Sequence, residues 1–303
     1  MDVITRILEE LHGGGPVCEH RRDEPMHKYT SFKIGGPVRV MFFPKSIAQL
    51  TEVCEFLKEF EIQPFILGKG TNLLAGDAPI ERVVINTTGL DTIESISETR
   101  LAAGAGAPLS MLAMRACDCG LSGLEFAYGI PGTVGGAILM NAGAYDGEMK
   151  DVVSLTYAIN PQTGPYIAKG AEHGFAYRKS SFSDSGDIIT SAMVVLKEAS
   201  RASIKAKMDE LTELRRSTQP LDMPNAGSIF KRPKEGYAAA LIDQAGLKGY
   251  RHGGAQISIK HAGFIINRGA ATFMDVMTVI EHAKETVHRY LGVELELEVR
   301  IIR

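Results

Sequence analysis

The sequence predicts an α/β (α+β) chain of three successive units, and three observations carry that expectation. Helix and strand signals alternate through residues 46–86, strand signals dominate residues 90–199, and a long helix followed by an alternating strand closes the chain. With 303 residues, 45% of them hydrophobic, there is material for two or three domains with real cores.

Taken in order, "MDVITRILEELH" is an acidic amphipathic helix. It lacks the basic start and unbroken apolar stretch of a signal peptide, and no apolar run is long enough to span a bilayer. A soluble, cytoplasmic protein is expected. Ser46 to Gln49 has capping-box form, and Leu50, Val53, Cys54, Leu57 and Phe60 continue a helical stripe. "PFILGKGTNLL" (64–74) reads as a buried strand running into a glycine turn, and "RVVIN" (82–86) as a second strand. From residue 90, the strands "IESIS", "RLAAGAG", "VVSLTYAI" and "IITSAMVVL" are interrupted by one helix, Pro108 to Cys119.

The third unit is expected to begin with a helix carrying Ile204, Met208, Leu211 and Leu214 on one side, stopped by Pro220 and Pro224. "AAALIDQAG", the strand "GFIIN", and a helix capped by Thr272 and Asp275 and closed by Gly292 follow. In "VELELEVRII", Val293, Leu295, Leu297, Val299 and Ile301 face one way and the charged residues the other, the alternation of a half-buried strand. The resulting boundaries are 1–88, 89–200 and 201–303.

Composition excludes several functions. A net charge of −3 leaves no basic footprint for nucleic acid or an anionic membrane. The four cysteines, Cys18, Cys54, Cys117 and Cys119, have no metal-ligand spacing and suit a reducing compartment. No metal is expected.

Chemistry is signalled by two glycine loops, "LGKGTNLL" (67–74) and "GIPGTVGGAILMNAGAY" (129–145). A Walker loop would need lysine followed by Ser or Thr, but Gly70 separates Lys69 from Thr71. A dinucleotide fingerprint fails because the third glycine position after Gly104 and Gly106 is Leu109, and Gly132 to Gly136 lacks the opening G-x-G. A single such loop is more often a tight packing turn. Two of them, each opening from an apolar strand, favour a shared phosphate, since successive backbone N–H groups bind anions without a lysine. Read from the residues alone, the chain is a nucleotide or flavin binder.

The motif set as a whole resembles the UDP-N-acetylenolpyruvoylglucosamine reductases of bacterial peptidoglycan synthesis. The two loops are joined in order by "TSFKIGG" (30–36), "YRKSSF" (177–182), "NAGSIFKRP" (225–233), "LIDQAGLKG" (241–249), "HAGFIIN" (261–267) and "EVRII" (298–302). Any one is weak, but eight in order cover the chain from residue 30 onward. The resemblance implies a two-lobed FAD-binding domain of the vanillyl-alcohol-oxidase type followed by a C-terminal α+β substrate domain. It also implies the shorter subtype, without an extra tyrosine loop over the substrate.

By the same resemblance, Gly68, Lys69, Gly70, Thr71, Asn72 and Leu73, with Gly132, Thr133, Gly135, Gly136 and Asn141, hold the FAD. NADPH reduces the flavin, which then passes hydride from N5 to the enolpyruvyl double bond of the UDP-sugar. Arg178 matches the residue stabilising the enolate, Ser228 the proton donor and Glu298 the third catalytic residue. Tyr177, Lys231, Arg232 and His261 are candidates for binding the UDP-sugar. Only small-molecule partners are implied, with a monomer favoured. At one position the sequence departs from the family: Asp146 follows "NAGAY" where glycine is common, so a small local change is expected in that turn.

Two other readings remain at this stage. A related FAD oxidase would tether its flavin through His or Cys, and a flavin-binding protein without catalysis would give no reason for Arg178, Ser228 and Glu298 to occur together.

Overall fold

The first sheet runs in the order His20–Pro25, Pro37–Phe42, Ile80–Asn86, Phe65–Leu67, in a computed structural model that describes residues 3–303. Its last two strands are parallel, with Phe65 opposite Val84, and residues 68–79, which hold the glycine loop and the strand Leu73–Ala75, connect them. Helix α1 (Val3–Gly13) buries Ile4 and Ile7, and α2 (Ile47–Glu59) buries Leu50, Val53, Cys54 and Leu57. They share a core with Val40, Phe42, Val83 and Ile85. Ser46 caps α2 through Gln49 N at 3.2 Å, whereas the Gln49 side chain reaches back to Lys45 N rather than to Ser46. The expected capping box is thus half made.

A second sheet of five antiparallel strands follows, ordered Gly164–Lys169, Val153–Asn160, Ile188–Val195, Arg100–Gly104, Ile93–Ser97. All four strands read from the sequence in this region are present. Helices α3 (Leu109–Asp118) and α4 (Val134–Leu139) bury their apolar residues in its core with Leu101, Ala192 and Val194. On α3, Cys117 is buried, while the capping Cys119 is exposed. The short α5 (Phe182–Ser185) buries Phe182 in the same core.

The expected cuts at 88 and 200 do not match the observed division, which gives two units. One comprises residues 1–22, 39–69 and 82–213, and the other residues 23–38, 70–81 and 214–303. Two packing facts explain the difference. Ile204 and Met208 of α6 (Arg201–Thr218) belong to the core of the five-stranded sheet, so this helix does not open a third unit. Leu214, expected on its apolar stripe, is 45% exposed. Conversely, Phe32, Ile34 and Leu74 belong to the C-terminal core.

That C-terminal unit holds an antiparallel sheet ordered Asn225–Ser228, Phe264–Asn267, Ala255–Ile257, Arg251–His252. Helices α7 (Ala238–Gln244) and α8 (Phe273–Leu291) contribute to its core. The α8 capping box is complete, with Thr272 and Asp275 exchanging bonds, and Gly292 closes the helix with φ +69°. Val276, Val279, Ile280, Ala283 and Val287 are fully buried. At about 1.5–3 kcal/mol per buried Val or Ile, this face holds the helix in place, and a charge at Val279 would break the packing.

The alternation in "VELELEVRII" is real, since Val293, Leu295 and Val299 are buried while Glu294 and Glu296 are exposed. The continuous strand is not. Only Arg300–Ile302 forms a ladder, parallel to Leu73–Ala75, and residue 297 makes a single bridge to Phe230. The segment facing it is residues 229–231, held by that bridge and by the bonds of Glu298 N to the Ile229 carbonyl and of Lys231 N to the Glu296 carbonyl, too short a stretch for a ladder.

Candidate active site

The two glycine loops meet inside the first unit. A Cβ built on Gly68 would lie 2.5 Å from the Thr133 hydroxyl oxygen. Buried Thr133 caps α4 by accepting from Gly136 N at 3.3 Å. Gly135 is packed on Ala105, to whose carbonyl its amide donates at 2.8 Å, and Gly132 has φ +144°. Lys69 is exposed beside them. Backbones approach closely here because no side chain separates them. Much of the glycine requirement therefore comes from the protein's own packing, not only from a ligand as the sequence implied.

The loop passes into the second unit at Gly70. Gly70 has φ +57°, and a Cβ there would meet the Tyr29 carbonyl oxygen at 2.1 Å. Glycine is obligatory on both counts. Thr71 is half-buried. Asn72 turns inward: its side-chain amide donates to the Glu298 carbonyl at 3.0 Å, and its own carbonyl accepts from Arg300 N at 3.1 Å. Leu73 is buried opposite Arg300 in the parallel ladder. The side chains of Asn72 and Leu73, expected at the cofactor, are thus occupied by the fold.

Arg178 stands at a tight corner of the first unit. Ala176 and Lys179 exchange backbone hydrogen bonds at 2.9 and 3.2 Å, leaving Tyr177 and Arg178 as the two corner residues. Arg178 has φ +53°, a left-handed conformation that costs an ordinary residue about 1–2 kcal/mol. Such strain in a non-glycine residue points to function. Its guanidinium carbon lies 5.3 Å from the ring centre of half-exposed Tyr177. Asn141, expected at the cofactor, is wholly buried and has its side chain engaged by Glu148, Ala176 and Lys150.

In the second unit, Ser228 and Glu298 are brought onto neighbouring backbones. Glu298 N donates to the Ile229 carbonyl at 2.8 Å, and Lys231 N to the Glu296 carbonyl at 2.8 Å. The Ser228 hydroxyl donates to the Phe230 carbonyl at 3.1 Å. Lys231 pairs with the Glu296 carboxylate, and the Arg232 guanidinium carbon lies 4.1 Å from the centre of the exposed Tyr237 ring. Nδ1 of His261 accepts from Gly263 N at 3.2 Å, which leaves Nε2 as the ring's donor. Burial lowers the pKa of this imidazole, assisted by Lys248, against an opposing backbone hydrogen bond. His261 therefore offers a neutral N–H donor, not a charge.

Sequence reasoning missed Glu148, Ser180 and Ser183. Both serine hydroxyls donate to the Leu139 carbonyl at 2.8 Å. Ser180 lay within a quoted motif without a role, whereas nothing in the sequence singled out the other two.

Comparison with known proteins places these features in a family context. Residues 38–167 match the family profile described as FAD binding domain, and residues 219–302 that of the C-terminal domain of UDP-N-acetylenolpyruvoylglucosamine reductase. The reductase of that name from Limosilactobacillus reuteri is 44% identical over 95% of this chain and 96% of its own. Its counterpart from Caldanaerobacter subterraneus is 46% identical over 99% and 98%. The crystal structure of the Thermus caldophilus reductase superposes with a TM-score of 0.80 at 33% identity, covering 94% of this chain and 99% of that one.

Proposed function

The chain belongs to the UDP-N-acetylenolpyruvoylglucosamine reductase family, and we infer that Arg178, Ser228 and Glu298 carry its chemistry. The protein is an FAD- and NADPH-dependent oxidoreductase that reduces UDP-N-acetylglucosamine enolpyruvate to UDP-N-acetylmuramate in peptidoglycan precursor synthesis. Its loops suit the cofactor, because the glycines at 68, 132, 135 and 136 put no side chain over backbone amides of the kind that bind a pyrophosphate. FAD, when bound, supplies the hydride and is recharged by NADPH.

Hydride arriving at the terminal carbon of the enolpyruvyl group leaves negative charge on the adjacent carbon and its carboxylate. The Arg178 fork binds that carboxylate and stabilises the charge as it grows. Ser228 leaves its Phe230 acceptor, gives its proton to the adjacent carbon, and regains one from water. Glu298, in its protonated form, orients the substrate carboxylate by donating a hydrogen bond to it. Tyr177, Arg232, the neutral His261 and Lys231, once released from Glu296, bind the UDP moiety.

One observation carries the catalytic assignment: the Glu298–Ile229 backbone bond sets two matching residues, 228 and 298, side by side. Among the described residues no helix is long and apolar enough to cross a membrane, and we place the enzyme in the cytoplasm as a monomer. NADPH oxidation measured with and without the enolpyruvyl UDP-sugar tests the function. Substrate-dependent oxidation with one NADPH per sugar reduced is expected, whereas oxidation indifferent to the sugar would contradict it.

A further inference from the structure

The motif residue Asn141 is held by more hydrogen bonds than a loop asparagine needs, and one of them leads to the arginine. Its Nδ2 donates to the Glu148 carboxylate at 2.5 Å and to the Ala176 carbonyl at 3.1 Å. Its Oδ1 accepts from Lys150 N at 2.9 Å. Two acceptors on one side and a donor on the other allow only one orientation of the amide. Asn141 itself has φ +43°, which asparagine tolerates better than most residues.

Ala176 is the first residue of the corner that carries Arg178, and its carbonyl also closes the turn by accepting from Lys179 N. A four-residue turn whose third residue has positive φ ordinarily places glycine or asparagine there. Here that residue is Arg178, and an unsupported turn would relax to a conformation that carries the guanidinium elsewhere. Three of its supports come from the end of α4. Asn141 holds the Ala176 carbonyl, and Ser180 and Ser183 both donate to the carbonyl of Leu139.

We propose that Asn141 is a positioning residue for Arg178, locked by Glu148, so that the helix following the glycine loop also sets the place of the guanidinium. This rests on Arg178 acting on the substrate. The mechanism asks nothing of Asn141 during flavin reduction, so damage is confined to the second half-reaction.

Asn141→Asp tests this directly. The aspartate keeps the size and tolerates the backbone, but it cannot donate to Ala176 and faces the Glu148 carboxylate. Flavin content and reduction by NADPH stay within about twofold of the parent. Reoxidation by the enolpyruvyl UDP-sugar slows by roughly 10-fold or more, since a displacement of about 1 Å can cost up to ~10²-fold. Added to Arg178→Ala, Asn141→Asp causes less than about a twofold further loss, because both act through one group.

Glu148→Gln, which keeps an acceptor for Nδ2, gives a smaller slowing through the same cycle and serves if Asn141→Asp does not fold. Normal reoxidation in both variants, or losses that multiply with Arg178→Ala, would overturn the proposal. Normal reoxidation by Arg178→Ala alone would instead refute the catalytic reading of the arginine.

Discussion

Gly68 packs against Thr133 so closely that an added methyl would lie 2.5 Å from the threonine oxygen. That oxygen also caps α4 through Gly136 N. Gly68→Ala therefore has to displace the cap and tilt the first turn of the helix. A loss of about 1 kcal/mol in stability is expected, together with several-fold weaker retention of FAD. Flavin absorbance per protein after gel filtration measures the second effect. Full retention would remove this loop from the cofactor cradle.

Gly70 does not offer the same test. Its substitution meets the Tyr29 carbonyl at 2.1 Å in a left-handed conformation, so a lower flavin content there would report misfolding.

Stability should fall on mild acidification. His173 is buried, its Nδ1 facing the Gly170 carbonyl at 3.1 Å and its Nε2 facing the Thr156 hydroxyl at 3.0 Å. Burial lowers the pKa of both His173 and His261 from the ordinary 6.5. The unfolded chain therefore binds these protons first, and the stabilisation, complete above about pH 6.5, is lost as pH falls below it. Melting temperatures at pH 7.5 and 5.5 measure the loss. His173→Gln should lower both values but narrow the difference, and an unchanged difference would dismiss this histidine as its source.

The kinetic order follows from one flavin serving two substrates in turn. NADPH should react and leave before the enolpyruvyl sugar enters, giving parallel double-reciprocal lines at several fixed sugar concentrations. Intersecting lines would require both substrates to be bound together.

The secondary structure was legible wherever side chains alone dictate it. Thr272, Asp275 and Gly292 mark both ends of α8, and the apolar periods locate four of the five strands of the second sheet, leaving out the mostly exposed edge strand Gly164–Lys169. Asp146, a residue that tolerates turns, forms with Tyr145 the corner between Ala144 and Gly147, at φ +65° and +51°. Both φ values are positive, as a two-residue hairpin of this kind demands.

What local pattern could not reveal was long-range partnership. Nothing in residues 30–34 or 73–75 says that Phe32, Ile34 and Leu74 complete a core built from the last 80 or so residues. Likewise, Asn72 and Asn141 look like ligand-facing loop residues in the sequence. Their amides are instead occupied by Glu298, Ala176 and Glu148, which lie up to 226 positions away. The three residues proposed as catalytic were identifiable only from their motifs, because an isolated arginine, serine or glutamate in such a context reads as surface.

The most direct test of the proposed mechanism is rapid mixing of Ser228→Ala in each half-reaction separately. The serine hydroxyl, resting on the Phe230 carbonyl, is required only when the carbon next to the substrate carboxylate takes its proton. Reduction of the flavin by NADPH should therefore stay near the parent rate, while reoxidation by the enolpyruvyl UDP-sugar slows by about 10²-fold or more, the usual size of a general-acid contribution. Ser228→Cys should recover part of that loss, since a thiol also donates. Equal slowing of both half-reactions by Ser228→Ala would contradict the proton-donor role and reduce Ser228 to a structural part of the unit.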